Sequence, residues 1–210
     1  MKALGLLMSA VIGYALGSIS TGILVGRLFG IKDIRNTASG SSGTTNVIRS
    51  AGFGPDILTL LGDFFKGYAA ALAGRALFGS AGMLVGGIAA IAGHDFPVFF
   101  GFRGGKGIIT SLGVIAVISP RLALFQFALQ IVIVLITKYM SAGAIANMAA
   151  LPFVIALFFR DRADFRLLMP ASVIIAALAI FQHRGNIRRL FTGQERRFDI
   201  TKLLKKRDRS

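Results

Sequence analysis

The chain has 210 residues, 54% of them hydrophobic, and its mean hydropathy is +0.71. A soluble domain of this size would expose too much apolar surface, so we interpret the sequence as that of an integral membrane protein. The net charge of +15 does not imply nucleic-acid binding, because Lys and Arg also accumulate on the cytoplasmic side of membrane proteins. Cysteine is absent, which excludes disulfides and thiolate metal sites.

Apolar runs divided by charged or turn-forming segments predict an all-α bundle of about seven transmembrane helices. The predicted spans are 3–26, 56–78, 81–101, 107–119, 121–137, 140–159 and 167–182. The fourth is short and Pro120 separates it from the fifth, so five or six spans are alternatives. We expect the first run to remain as a span, because it far exceeds the ~7–15 residues of a signal-peptide core. The sequence predicts one domain, 1–210, with a basic tail from about residue 183.

The distribution of Lys and Arg predicts an N-terminus outside and a C-terminus in the cytoplasm. With that orientation seventeen of these residues lie in inner segments and six in outer segments, while Lys66 lies within a span. An excess of Lys and Arg marks the cytoplasmic side. The polar motifs described below then all fall on the cytoplasmic face.

Two polar segments occur early in the chain. Thr37 to Arg49 reads TASGSSGTTNVIR, a small-residue loop whose hydroxyl, amide and guanidinium donors suit an oxyanion. Asp63 and Lys66 lie three residues apart inside the second predicted span and share a helix face. Charged groups at membrane depth mark either a functional cavity or a structural salt bridge, and both interpretations stay open here.

Two further polar segments follow the third and the last predicted spans. GHDFPVFFGFRGGKG ends in a glycine-rich loop, 101–107, whose N–H groups and Lys106 suit a phosphate at the start of the next helix. It is not a Walker A loop, because Gly107 stands where that pattern needs Ser or Thr. HRGNIRRLFTGQE begins at His183 and ends at Glu195, and the tail beyond it resembles a basic surface segment for topology and lipid contact.

Several kinds of catalytic site are absent from the sequence. The nine acidic residues are not clustered, which argues against a two-metal phosphoryl-transfer site. Neither His94 nor His183 is followed five residues later by Asp, so the arrangement used by many glycerolipid acyltransferases is missing. No serine lies in a G-x-S-x-G elbow. We therefore expect no metal and no cofactor.

At these four segments the sequence resembles the bacterial membrane acyltransferases that move an acyl chain from acyl phosphate to glycerol 3-phosphate. The resemblance covers nearly the whole chain, with the motifs in the same order and spacing. The matching positions are Ser39, Gly40, Ser41, Gly43, Asn46, Arg49, Asp63, Lys66, Gly67, Gly93, His94, Phe96, Pro97, Phe99, Phe102, Arg103, Gly104, Gly105, Lys106, Gly107, His183, Arg184, Asn186, Ile187, Arg189, Leu190, Gly193 and Glu195. Ser41 replaces the usual asparagine, Arg103 the usual lysine, and Ala144 a frequent hydroxyl residue.

The resemblance implies a seven-helix enzyme of the bacterial inner membrane with its active site open to the cytoplasm. It would catalyse the first acylation step of phospholipid synthesis, with acyl phosphate and glycerol 3-phosphate as substrates, surrounded by membrane lipid, and with no nucleic acid or obligate protein partner. Catalytic roles fall on Ser39, Lys106, His183 and Asn186. Substrate- or phosphate-binding roles fall on Gly40, Thr45, Asn46, Arg49, Lys66, Gly104, Gly105, Lys106, Ser141 and Glu195. Either His183 or the donor's own phosphate would accept the hydroxyl proton.

A transporter of phosphate or of a phosphorylated metabolite is the alternative function. Such a protein would carry its charged residues near mid-membrane, between repeated halves. The sequence shows no long internal repeat, and its charges gather toward one face.

Overall fold

The structure is a computed structural model that describes residues 2–37 and 40–198, and all of its regular elements there are helical. The α-helices are α1 Lys2–Gly17, α2 Thr21–Leu28, α3 Thr44–Ala51, α4 Phe53–Asp95, α5 Ile108–Ile118, α6 Pro120–Thr137, α7 Met140–Phe158, α8 Phe165–Gln182 and α9 Arg184–Phe191. Two 3₁₀ helices, Ile34–Asn36 and Val98–Phe100, lie in the loops after α2 and α4. The predicted all-α class is therefore confirmed for the described residues.

Five segments in the described part are long and apolar enough to cross a membrane. They are Lys2–Leu28, Phe53–Phe100, Pro120–Thr137, Met140–Phe158 and Phe165–Gln182. Helix α5 is apolar but shorter, as the sequence indicated for the fourth predicted span. The count of seven crossings therefore stays a prediction.

The longest segment, α4, is a helical hairpin. Phe78 and Gly79 leave the helical conformation, and Gly79 has a φ of +55°, which favours glycine. The arms 53–77 and 80–95 fold back on each other, so Asp63 on one arm meets His94 on the other. The bend falls at the boundary predicted between the second and third spans.

The first predicted span is broken, which the sequence did not predict. α1 ends at Gly17 and α2 begins at Thr21. A Cβ at Gly13 or Gly17 would overlap the backbone of the second arm of α4, so α1 and α4 approach backbone to backbone. The break exposes the carbonyl of Ile19, which accepts a hydrogen bond from Lys66 Nζ at 2.9 Å.

The apolar side chains divide into a core and a lipid-facing surface. The core joins α4, α5, α7 and α8 through fully buried residues such as Ile91, Ile115, Met148 and Ile175. Large apolar side chains remain exposed along α6 and α7, including Leu124, Ile136, Phe153 and Leu157. This is the surface that a hydrocarbon environment accepts and water does not.

The connections separate into two ends of the bundle. At one end Ser80 Oγ, just past the α4 bend, donates to Asp164 at 3.2 Å, and Arg162 donates to Ile118 O at 3.2 Å. At the other end the segments 30–52, 96–107, 138–141 and 183–198 contact one another. Three of the four polar motifs therefore share one end, where the candidate site lies, and the fourth joins them through the contact of Asp63 with His94.

Candidate active site

The glycine-rich loop 101–107 is fastened on its outer side by the loop after α2. Arg35 Nη1 donates to Phe100 O at 2.6 Å and to Arg103 O at 3.1 Å, and the Ser42 N–H donates to Gly104 O at 3.3 Å. Asp33 holds the guanidinium of Arg35 through an Nη2–Oδ2 contact of 2.8 Å. The hydrogen bond from Arg35 lowers the pKa of Asp33 to about 2, so the pair stays charged.

On its inner side the same loop rests on the α4 hairpin. The Gly105 N–H donates to His94 O at 3.1 Å, and a Cβ on Gly105 would overlap the imidazole of His94, so only glycine fits here. His94 Nδ1 in turn lies 3.3 Å from Asp63 Oδ1. The sequence predicted that the Gly105 N–H binds a phosphate, but this N–H is already hydrogen-bonded within the protein.

Lys66 is part of this support. Its Nζ lies 2.8 Å from Asp63 Oδ1, and Thr21 Oγ1 donates to the same carboxylate oxygen. Both side chains of the Asp63–Lys66 pair are almost fully buried, and Lys66 lies outside the lining of the main cavity. Of the two interpretations left open by the sequence, this geometry favours the structural salt bridge.

The main cavity measures about 980 Å³ and opens among α3, α4, α6, α7 and the segment after α8. Of the predicted site residues, it brings together Thr45, Asn46, Arg49, Lys106, Ser141, His183, Asn186 and Glu195. Gly40, Gly104 and Gly105 instead line a separate cavity of about 390 Å³ on the other side of the glycine-rich loop. Ser39 lies outside the described residues.

The cavity has a polar half and an apolar half. The apolar wall is formed by Phe53, Leu60, Ile108, Ile109, Phe127, Ile131, Val134 and Leu135. Its polar half holds six cationic side chains, which are Arg49, Lys106, Lys138, Arg189, Arg196 and Arg197. A molecule with an anionic head and a long alkyl chain fits this division.

A hydrogen-bonded network fixes the polar half. Lys106 Nζ donates to Asn186 Oδ1 at 2.5 Å, and Asn186 Nδ2 donates to Glu195 Oε1 at 2.7 Å. Glu195 also accepts from Ser141 Oγ at 2.8 Å and from Arg189 Nε at 2.8 Å. These bonds tie together the glycine-rich loop, α7, α9 and the segment after α9. Glu195, predicted to bind substrate, here orients its neighbours.

Lys106 and His183 have perturbed pKa values. Burial, opposed by Glu195 and reinforced by Arg189 and Arg49, lowers the pKa of Lys106 to about 8. Burial and the nearby charge of Lys106 lower the pKa of His183 to about 4. His183 Nδ1 lies 2.7 Å from Ala179 O, and because a carbonyl only accepts, Nδ1 carries the hydrogen. Nε2 of the neutral ring is therefore left with the lone pair that can accept a proton.

The side-chain amide of Asn46, which was predicted to bind substrate, is hydrogen-bonded within the protein. Asn46 Nδ2 donates to Ile34 O and to Ser41 O, both at 2.7 Å, which holds the loop after α2 against α3.

Within residues 2–37 and 40–198, no group of three or more His, Cys, Asp or Glu side chains could hold a metal ion.

A family model described as "Glycerol-3-phosphate acyltransferase" matches residues 7–193. The chain belongs to the glycerol-3-phosphate acyltransferase family. This confirms the acyltransferase class predicted from the resemblance, and it leaves the transporter alternative without support.

Curated members of the glycerol-3-phosphate acyltransferase family are similar over almost their full length. The protein of Geobacter sulfurreducens is 44% identical over 193 residues, which are 91% of this chain and 97% of that one. The protein of Thermoanaerobacter pseudethanolicus is 40% identical over 188 residues, which are 90% of this chain and 93% of that one.

The fold is that of a solved family member. A crystal structure of PlsY, an integral membrane glycerol 3-phosphate acyltransferase, in its glycerol 3-phosphate form has a TM-score of 0.85 and 39% identity, covering 95% of this chain and 98% of that one. A second structure of PlsY, in a lysophosphatidic acid form, has a TM-score of 0.83 and 37% identity with the same coverage. The prediction of a membrane protein is therefore confirmed.

The sequence did not identify four residues that the structure brings to the site. Arg35 fastens the glycine-rich loop, and its only sequence signal was its position two residues after Asp33 in a loop. Arg196, Arg197 and Phe198 line the main cavity, although they begin a tail whose composition predicted a surface segment. A count of charges does not show that a tail folds back over a cavity.

Proposed function

We propose that the protein transfers an acyl chain from acyl phosphate to the sn-1 hydroxyl of glycerol 3-phosphate. The products are 1-acylglycerol 3-phosphate, which is lysophosphatidate, and inorganic phosphate. The observation that carries this proposal is that Lys106, Arg49 and an apolar wall of eight residues all line the same cavity, the main one. Membership of the family and the glycerol 3-phosphate and lysophosphatidic acid forms of PlsY support the acceptor and the product.

The substrates divide between the two halves of the cavity. The alkyl chain of the donor lies along the apolar wall, with burial contributing ~0.8 kcal/mol per CH₂ group. The phosphates lie in the polar half with Lys106 and Arg49, where burial strengthens each charge contact. Holding both molecules together makes the transfer effectively unimolecular.

The chemical step exchanges one acyl–oxygen bond for another. The sn-1 oxygen attacks the acyl carbon, the bond from that carbon to the phosphate oxygen breaks, and the phosphate leaves with both bonding electrons. The hydroxyl proton goes either to Nε2 of His183, which is neutral, or to the departing phosphate. Asn186 and Ser141 orient the reacting groups, a role supported by their hydrogen bonds to Glu195.

The donor assignment has a direct test. Purified protein receives matched acyl phosphate or acyl-coenzyme A, in separate reactions, with labelled glycerol 3-phosphate. We expect lysophosphatidate and an equal amount of inorganic phosphate in the reaction with acyl phosphate, and no lysophosphatidate in the reaction with acyl-coenzyme A. Comparable lysophosphatidate from acyl-coenzyme A would refute the donor, while leaving the acceptor intact.

We also propose that the protein spans the inner membrane of a bacterial cell. Its site then faces the cytoplasm, and its N-terminus lies outside. The Lys and Arg distribution supports this orientation. The chain has no cysteine, so single cysteines report cleanly. An impermeant thiol reagent applied to intact cells should label Arg160→Cys and spare Thr192→Cys. The reverse labelling would invert the topology.

A further inference from the structure

The four residues after the turn that follows α9, 195–198, form a strap across the main cavity. Its first residue, Glu195, is held by hydrogen bonds from Ser141, Asn186 and Arg189. At its other end the Phe198 N–H donates to Lys138 O at 2.7 Å. The strap is therefore anchored at both ends, and the three residues after Glu195 line the cavity.

The strap brings a second guanidinium to Arg49. Arg49 on α3 and Arg196 on the strap line the same cavity. Burial lowers the pKa of Arg49, the charge of Arg196 lowers it further, and the charge of Glu195 opposes both. Neither guanidinium forms an ion pair with any described side chain. Like charges in one cavity repel each other, and an anion bound between them relieves the repulsion.

The acidic residues that line the cavity do not supply that anion. Glu195 is bonded to Ser141, Asn186 and Arg189, and Asp63 is bonded to Lys66 and Thr21. Asp56 lies in the first turn of α4, where the helix dipole favours a negative charge. Glu195 offsets part of the repulsion at Arg49 from a distance, but no described acid forms an ion pair with Arg49 or with Arg196.

We propose that Arg196, on the strap, and Arg49, on α3, together form a clamp for the phosphate of one substrate. This inference rests on the proposed function, in which two phosphate-bearing molecules share the cavity. Arg189 is paired with Glu195 and Arg197 is hydrogen-bonded to Tyr139, so Lys106, Arg49, Lys138 and Arg196 are the cavity cations left for two phosphates. Of these, Arg196 is the one whose charge acts on Arg49, and a guanidinium binds phosphate through two parallel N–H donors.

Steady-state kinetics test the clamp, with each substrate varied separately. Arg196→Ala should raise the KM for one phosphate substrate about tenfold with kcat within about twofold, because the contact is made in ground and transition states alike. Arg196→Lys should recover part of the loss. Arg188→Ala is the matched control, since Arg188 is an exposed arginine on α9 outside the cavity.

The substrate whose KM rises identifies the phosphate that the clamp holds. A rise for glycerol 3-phosphate assigns the acceptor, and a rise for acyl phosphate assigns the donor. If Arg196→Ala matched Arg188→Ala for both substrates, the clamp would be refuted.

A binding measurement separates this inference from the proposed function. Calorimetry with glycerol 3-phosphate, and separately with inorganic phosphate, should show weaker binding of at least one of these anions to Arg196→Ala and unchanged binding of both to Arg188→Ala. A wild-type protein that bound these anions through Arg196 but made no lysophosphatidate would refute the proposed reaction and keep the clamp. Equal binding of both anions to all three proteins would refute the clamp whatever the reaction.

Discussion

Lys106 Nζ donates to Asn186 Oδ1 at 2.5 Å, so the glycine-rich loop is joined to α9 across 80 residues of sequence. The partner is a neutral amide, and the nearest acid of the network, Glu195, is bonded to the other side of that amide. The charge of Lys106 is therefore oriented without being neutralised by direct contact. This is the arrangement expected of a cation that must receive a phosphate.

Replacing Lys106 tests its role most directly. Lys106→Ala should lower kcat/KM by ~30- to 1000-fold, by analogy with the ~2–4 kcal/mol lost with a donor that stabilises a transition state. Lys106→Arg should recover only part of this, because a planar fork fits a point-charge site poorly. The exposed Lys32→Ala is the control. Near-normal turnover by Lys106→Ala would show that the loop is only a turn.

The pH dependence of kcat/KM should report Lys106. Its pKa of about 8 means that the ammonium form, which binds phosphate, is lost as the pH rises through about 8. In Lys106→Arg this alkaline limb should disappear, because arginine stays protonated beyond pH ~12. Rates measured from pH 6 to 10 with saturating and limiting substrate decide the matter. An identical alkaline limb in the arginine variant would assign the titration to another group.

Lys66→Met should affect folding rather than substrate binding. Removing one partner of a buried ion pair costs ~3–5 kcal/mol, because the remaining carboxylate of Asp63 loses its counter-charge. Thermal unfolding in detergent should shift strongly, while the KM for glycerol 3-phosphate of the folded fraction stays within about twofold. Lys32→Met serves as the exposed control. A normal unfolding temperature together with a large rise in KM would instead show that Lys66 binds substrate.

Arg35 should act on catalysis through the position of the glycine-rich loop. Arg35→Lys loses the fork that binds Asp33, Phe100 O and Arg103 O together, and we expect about a tenfold fall in kcat/KM. In a Lys106→Ala background the same change should cost much less, since the loop then has no cation to place. Arg27→Lys, an exposed change on α2, should be neutral in both backgrounds. Equal losses in both backgrounds would mean that Arg35 acts independently of Lys106.

Hydropathy and turn residues predicted the helices well where their cause is local. The bend of α4 at Phe78 and Gly79 coincides with the predicted boundary, because a glycine there allows the positive φ. The break between α1 and α2 was not predicted, because the run 3–26 carries no charge and its hydroxyl residues Ser18, Ser20 and Thr21 were interpreted as part of one span. A distant partner satisfies the freed backbone there, because the ammonium of Lys66 donates to the carbonyl of Ile19.

The candidate site, like the helices, was predicted where its features are local in sequence and missed where they depend on distant contacts. Residue types near the glycine-rich loops predicted phosphate-binding roles for Arg49 and Lys106, because cations there suit phosphates whatever the fold, and the family resemblance implied roles for His183 and Asn186. The sequence could not place Lys66 under the loop rather than in the cavity. It also could not show that the segment at Arg196 crosses the cavity. Both placements arise from contacts between residues far apart in the chain, such as Phe198 N–H with Lys138 O, and patterns of hydropathy and charge report only on neighbours in sequence.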